Sequence, residues 1–456
     1  MLELTSRTRI ALLGLLATLC WGASPGFAAP APVLRASLSN GLRLITRAND
    51  SSEVVAITCL IQAGLPDEKP GLGGIAALTA EALLQGTTVR DAKAFRQAVQ
   101  QAGISLTSRP GADFTEVTMV TTRSRFAPAL KLVAEALAKP AFTAEGIEQA
   151  RTALGRRRAQ AKAGFTTGSL EALSGSLYRR GAYGRPLLGY QRTLASIKPA
   201  DVRAFWERNY VQNRMVVAIV GDVKARQALD AAQRRFAGLP FRPNARTPRP
   251  MPETRKAATV KIIQRGANAA QVMVGYLAPA ATAESYPVFS ILEAIIGGGK
   301  AARMFQNIRI KRGLGYEMGT FYQPRRFQSF LGGYVVTPVQ KRDPLSGAVS
   351  DVVEPAKTAL LEQFRQLSAE GPSDSELARA KAYVIGRAAL RQARNRDQAR
   401  WLAWTAALNL GVERSKELSQ KVNAVTKEQV CAAAKRSLRN YALVVTMPRA
   451  PRRRLR

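Results

Sequence analysis

The chain of 456 residues contains no histidine. That absence removes Ser-His-Asp and Cys-His catalysis, any imidazole general base and every zinc site that needs a histidine ligand. Cysteine is almost missing as well: Cys20, Cys59 and Cys431 are the full set, too few for a zinc ribbon once Cys20 is removed with a leader. Acidic residues are scarce, 32 Asp plus Glu against 68 Lys plus Arg, which leaves a formal net charge of +36. Beyond the first stretch, no apolar run approaches the ~20 residues a membrane helix needs.

What is present is an ordinary globular composition, 46% hydrophobic and 22% charged. It excludes a disordered or collagen-like chain and suffices for two or three cores at roughly 150 residues each. Residues 1–29 read as an export signal. Arg7 and Arg9 give a positive start, Ile10 to Leu19 an apolar core too short to span a bilayer, and Gly26-Phe27-Ala28-Ala29 a cleavage site. The alternative is a lipoprotein acylated at Cys20, although Leu19 is bulky for such a site. The expectation is secretion across the inner membrane, periplasmic in a Gram-negative cell, with no transmembrane helix in the mature chain. Cys59 then lies in a strand-like run and Cys431 in a helical one; they can pair in an oxidising compartment or serve as small buried apolar residues. Basic residues are dispersed, clustering only at Arg156-Arg157-Arg158 and Arg449 to Arg456, without interleaved aromatics. The charge therefore points to solvated faces and an acidic protein or peptide partner, and nucleic acid is not expected.

The proline-rich stretch 238–255 reads as a linker. It separates a first half, 30–237, from a second, 256–448, with a basic tail at 449–456. The halves look duplicated. Ile197-Lys198-Pro199-Ala200-Asp201-Val202 leads through a helical stretch to the apolar Met215 to Val220, and 228 residues on Val425 to Val430 leads to Leu443-Val444-Val445. Ala144 to Arg151 likewise resembles Asp374 to Lys381, 230 residues later. Asn40-Gly41 marks a tight hairpin between Leu34–Leu38 and Leu42–Thr46. Further strands are predicted at Val54–Gln62, Ile104–Thr107 and Phe114–Thr121, with helices at Leu72–Leu84, Asp91–Ala102 and in Phe126–Ala163. The second half repeats the order: strands near Thr259–Ile263 and Gln271–Tyr276, a helix at Tyr286–Ile296, strands near Gly319–Tyr322 and Phe330–Thr337. Hairpin strands with helices in blocks imply an α+β fold of antiparallel sheets packed with helices.

Two stretches then carry a family likeness over nearly the whole mature chain: Gly71 through Thr87, and Leu292-Glu293-Ala294-Ile295-Ile296-Gly297-Gly298-Gly299 running into Arg309-Ile310-Lys311-Arg312-Gly313-Leu314-Gly315-Tyr316. In them the sequence resembles the insulinase/pitrilysin zinc peptidases, the family of mitochondrial processing peptidase and the respiratory core proteins. The resemblance implies two homologous α/β-sandwich halves in a clamshell around a peptide. Active members carry His-x-x-Glu-His on the helix before Gly-Thr, two histidines binding zinc and a glutamate activating water. Here those places hold Ala77, Ala80 and Glu81, and the further ligand glutamate is expected near Ala150. The motif is degenerate and no metal is expected in this chain. The second half keeps an arginine and tyrosine seven apart, Arg309 and Tyr316, after the glycine-rich turn Gly297-Gly298-Gly299. In the family such a pair holds the substrate backbone; a guanidinium can grip carbonyls and a phenol can donate to an oxyanion.

The resemblance thus implies a non-zinc-binding, substrate-holding subunit of a heteromeric exported metalloendopeptidase. It would be inactive alone and partnered by a homologous chain with intact His-x-x-Glu-His that supplies the zinc. The alternatives are a non-enzymatic scaffold or peptide-binding protein of the same fold, and a basic envelope protein that binds polyanions. Trp401 and Trp404, three apart in an apolar helix, read as core.

Overall fold

Asn40-Gly41 sits where the chain must reverse with a positive φ: Gly41 adopts φ +82°, and its neighbours form an antiparallel hairpin of β1, Val33–Ser37, and β2, Arg43–Ala48. These belong to a computed structural model that describes residues 32–449, apart from Arg180, 244–254, Lys256, Ala267, 343–346 and 412–414. The expected signal, most of the linker and the tail beyond Arg449 lie outside the described residues. From Val33 onward the chain forms one unit.

The first sheet adds β3 (Val54–Ile61), β4 (Ser105–Pro110), β5 (Thr115–Thr122) and β6 (Met215–Gly221), in the order β1-β2-β6-β3-β5-β4. The second contains β7 (Thr259–Arg265), β8 (Ala270–Pro279), β9 (Glu317–Gln323), β10 (Gln328–Thr337) and β13 (Tyr441–Pro448), in the order β7-β13-β8-β10-β9. Strip β1 from the first and the two topologies coincide strand for strand. The short β11 and β12, Gln340–Arg342 and Val349–Asp351, form a separate ribbon.

The sheets are not wholly antiparallel. β2 runs parallel to β6, and β7 to β13, one such pair in each sheet. The last strand of each half arrives after a long helical crossover and inserts between two strands that run in opposite directions, so it is necessarily parallel to one of them and antiparallel to the other. Among the helices, Pro199–Asn209 and Lys427–Ser437 start 228 residues apart, and Ala144–Ala163 and Asp374–Leu390 start 230 apart, the offsets seen in the sequence. Thr143 and Ser373 cap the second pair through their hydroxyls.

Each half also lends the other a helix. Phe165–Leu177 packs on β8 and β13 of the second sheet, placing Leu173 and Leu177 against Met273 and Val444. Asn395–Ala407 packs on β3 and β6 of the first, joining Ala56, Leu60 and Ala218 to Trp401 and Leu402 in one core. Polar bonds fix the exchange: Arg43 donates to the Ala406 carbonyl at 2.7 Å, the Asn395 amide to the Val54 carbonyl at 2.8 Å, and the Tyr178 hydroxyl to the Gln328 carbonyl at 2.9 Å. Cys59, buried in β3, and Cys431, half-buried in the helix Lys427–Ser437, are both free thiols; burial pushes the Cys59 thiol above its usual range. Among the described residues no helix is long and apolar enough to cross a membrane.

Candidate functional site

The helix Ile75–Ala82 carries the degenerate motif. Its start is held by Glu68, whose carboxylate accepts from the Gly74 amide at 2.9 Å and the Ala76 amide at 3.4 Å, and Gly74 supplies a left-handed φ of +99° where a Cβ would strike Gly189. Burial raises the Glu68 carboxyl to about 7 against the pull of Arg185 and those two amides. The helix packs on Ala144–Ala163. Ala77 is fully buried in the first-half core, while Ala80 and Glu81 reach a cleft of about 400 Å³ whose other walls are Thr107, Ser108 and Arg109 of β4, and Arg157.

Arg157 donates to Glu81 at 2.6 Å. This corrects the position expected for the missing acidic ligand. Ala150 is fully buried among core residues with Leu154 one turn on, and the residue of the long helix that meets Glu81 stands two turns further, at the rim. Positions 77, 80, 150 and 157 offer a metal no donor, and the one carboxylate, Glu81, is already neutralised by a guanidinium. The residues do not fit zinc. Nor do any three Cys, Asp or Glu side chains among the described residues gather as a metal set.

Arg309 and Tyr316 are brought together, but away from that cleft, whose lining includes neither. Arg309 ends a π-helical turn, Phe305–Ile310, a geometry frequent at functional sites. Its guanidinium donates to the carbonyls of Gly315 at 3.2 Å and Tyr316 at 2.7 Å. Gly315 makes this possible: at φ +71° it lies where a Cβ would come within 2.5 Å of Val335. The Tyr316 ring is 55% exposed, at the entry to β9. The arginine therefore braces the turn that presents the phenol.

The turn Gly297-Gly298-Gly299 serves a different place. Gly297 ends the helix Ser285–Gly297 directly beside Thr320 of β9, which a Cβ would meet at 2.4 Å, and Gly299 turns with φ +90°. That helix, β9 and Asp374–Leu390 enclose a second, larger cleft of about 710 Å³. On its wall Arg387 grips Glu293 with two bonds, 2.9 and 2.5 Å, which hold the guanidinium above its ordinary range. Arg157 and Arg387 each stand thirteen residues into their helices, so the two clefts are counterparts, each with its own Glu–Arg pair. Nothing in the local sequence pattern points to the second cleft. Trp401 and Trp404 do pack in the core cluster, but both also line it; the helix bearing them belongs by sequence neighbourhood to no site, and only its exchange between halves brings it there.

Comparison with known proteins agrees with this architecture. Residues 43–191 match the insulinase (peptidase family M16) model, and residues 196–384 match the peptidase M16 inactive domain. The chain belongs to the M16 family. An uncharacterized zinc protease of Mycobacterium leprae is 24% identical over 432 residues, covering 93% of this chain and 94% of the relative. The non-peptidase homolog YmxG of Helicobacter pylori is 24% identical over 322 residues, 70% and 71% of the two chains. Among solved structures, a peptidase M16 inactive domain from Pseudomonas fluorescens superposes with a TM-score of 0.80 at 22% identity, covering 92% of this chain and 98% of the other. A protease from Helicobacter pylori gives 0.79 at 17%, covering 92% and 100%.

Proposed function

We propose that this M16 chain is the substrate-holding, non-zinc-binding subunit of an exported heteromeric peptidase, with the metal furnished by a homologous chain that keeps His-x-x-Glu-His. The observation that carries the reading is the contrast within one molecule. The motif helix offers an ion pair in place of ligands, whereas the Arg309 turn remains built, with an exposed phenol at its tip. A phenol so placed can donate to the oxyanion that forms as an amide is attacked. The edge of β4, which among the described residues has β5 as its only strand partner, lies along the degenerate cleft and offers backbone groups to an extended peptide.

The test is reconstitution. Alone, the chain should bind no stoichiometric zinc and cleave nothing; with a zinc-motif partner, peptide cleavage should appear and be abolished by a chelator. Tyr316→Phe, which leaves the turn intact, should lower kcat/KM of the complex by about tenfold or more while co-elution of the two chains is unchanged. Unchanged turnover removes the role given to Tyr316.

A second reading has its own support. Arg309 spends donors on its own turn, which leaves fewer for a substrate and suits a non-enzymatic scaffold or peptide-binding protein. A partner whose cleavage rate is indifferent to this chain would favour that reading.

A further inference from the structure

The larger cleft has no part in that assignment: it lies in the second half, and neither Arg309 nor Tyr316 lines it. We propose that it is a binding site for an extended, acidic polypeptide segment bearing an aromatic side chain. Three observations converge there.

First, one wall is the end strand of a sheet. Among the described residues β9 pairs only with β10, which leaves its outer edge free of a strand partner along Thr320–Gln323, the part that lines the cleft. An extended chain laid there would gain main-chain hydrogen bonds, with alternate side chains turned toward the cavity.

Second, the cavity is lined by rings that already pack on one another. Tyr286 lies 5.6 Å from Trp404 and 6.1 Å from Tyr322 between centroids, and Trp401 lies 5.7 Å from Trp404. Tyr286 and Trp401 are almost fully buried and Trp404 is half-buried, so an incoming aromatic group meets a rigid apolar wall at little ordering cost. At about 710 Å³ the space is within the usual range for ligand pockets.

Third, the charges do not cancel. Of three arginines in the lining, Arg387 is held by Glu293 and Arg400 by Glu116 at 2.9 Å. Asp397 is approached by Arg396 at 3.6 Å. Arg391 is exposed and has no ionic partner among the described residues. One planar cation is left over, a match for a carboxylate. The two carboxylates in the same lining argue against a polyphosphate channel, which would be lined by cations throughout.

This site shares with the proposed function only a polypeptide ligand, and testing it needs neither partner nor hydrolysis. With the full chain, tryptophan fluorescence and calorimetry would measure binding of the capped hexapeptide Thr-Glu-Phe-Glu-Val-Thr. The controls are the same peptide with Lys for both Glu, the same peptide N-methylated at alternate residues, and a ten-residue oligothymidylate. The acidic peptide should bind about tenfold tighter than the basic one, and N-methylation should weaken it by about fivefold or more. Arg391→Glu should weaken it by about tenfold and Trp404→Ala by about fivefold, while Arg391→Lys should stay within about threefold. Arg391 is exposed, so its variants should fold as wild type. Equal affinity for the acidic and basic peptides, indifference to Arg391→Glu, or tighter binding of oligothymidylate would each overturn the proposal. A complex without turnover but with Arg391-dependent binding would sink the peptidase reading alone.

Discussion

The two halves hold the same cleft at two stages of elaboration. In the first, the helix Ile75–Ala82 meets β4 and the long helix over alanines, and a half-exposed Glu81–Arg157 pair spans the gap. In the second, the equivalent walls enclose nearly twice the volume, a two-bond Glu293–Arg387 pair lies deeper, and Tyr286, Trp401 and Trp404 line the space. The difference originates in the exchanged helices. Asn395–Ala407 contributes four residues to the second cleft, whereas its counterpart Phe165–Leu177 contributes none to the first. The two halves share one frame, and what differs is which side chains the rest of the chain brings to it.

The largest expected effect tests whether the second pair is structural. Glu293→Ala would leave Arg387, only 26% exposed, without its carboxylate. Losing one partner of a largely buried pair costs about 3–5 kcal/mol when burial is complete, so a loss of about 2–4 kcal/mol is expected by urea unfolding. A loss below about 1 kcal/mol would show that the cavity hydrates Arg387 freely, and would remove the claim that the two clefts differ in depth.

Much of this frame was legible in the sequence, for reasons that differ by element. Asn40-Gly41 fixed a hairpin because few other pairs tolerate its φ values, and the apolar run Val54–Gln62 and the alternation in Phe114–Thr121 marked strands that the fold places at Val54–Ile61 and Thr115–Thr122. The loss of ligands at Ala77 and Ala80 was plain because alanine has no donor atom. Arg157 was missed because the crossing of two helices, not spacing along the chain, decides which residue meets Glu81. The parallel pairs β2/β6 and β7/β13 were missed because local pattern carries no information on which neighbour a distant strand will choose. The second cleft was invisible for the same reason: Tyr286, Thr320, Arg387 and Trp404 are far apart in sequence and meet only through topology.

A middle-sized effect separates the starts of the two motif helices. Ser285 and Thr282 exchange hydroxyl and amide bonds at the start of the second. The carboxylate beside them, Glu284, is exposed and held below its ordinary range by the Thr282 hydroxyl, a shift opposite in sign to that of Glu68. The first relies on Glu68, whose carboxyl stands at about 7 when folded and near 4.3 when unfolded. Between those values the folded chain holds a proton the unfolded chain has released. The stabilisation is therefore full below pH ~4.3 and is lost as pH rises through about 7. Glu68→Gln keeps an acceptor for Gly74 and Ala76 without the charge. It should be more stable than wild type by about 1–3 kcal/mol at pH 8, with the difference vanishing near pH 4. Parallel pH profiles for the two proteins would show that Glu68 is solvated and that both helices begin alike.

The smallest effect is expected where the metal motif has decayed. Arg157 is 38% exposed and Glu81 19%, so water can take over either charge, and Glu81→Ala should cost only about 0–1 kcal/mol. The double variant Glu81→Ala with Arg157→Ala should then cost no more than the sum of the singles, because two hydrated groups share little coupling. A single-variant loss above about 2 kcal/mol would place the pair among buried, load-sharing contacts. In that case the ion pair would have become a brace between the two helices in its own right, and the first cleft would depend on its charges no less than the second does.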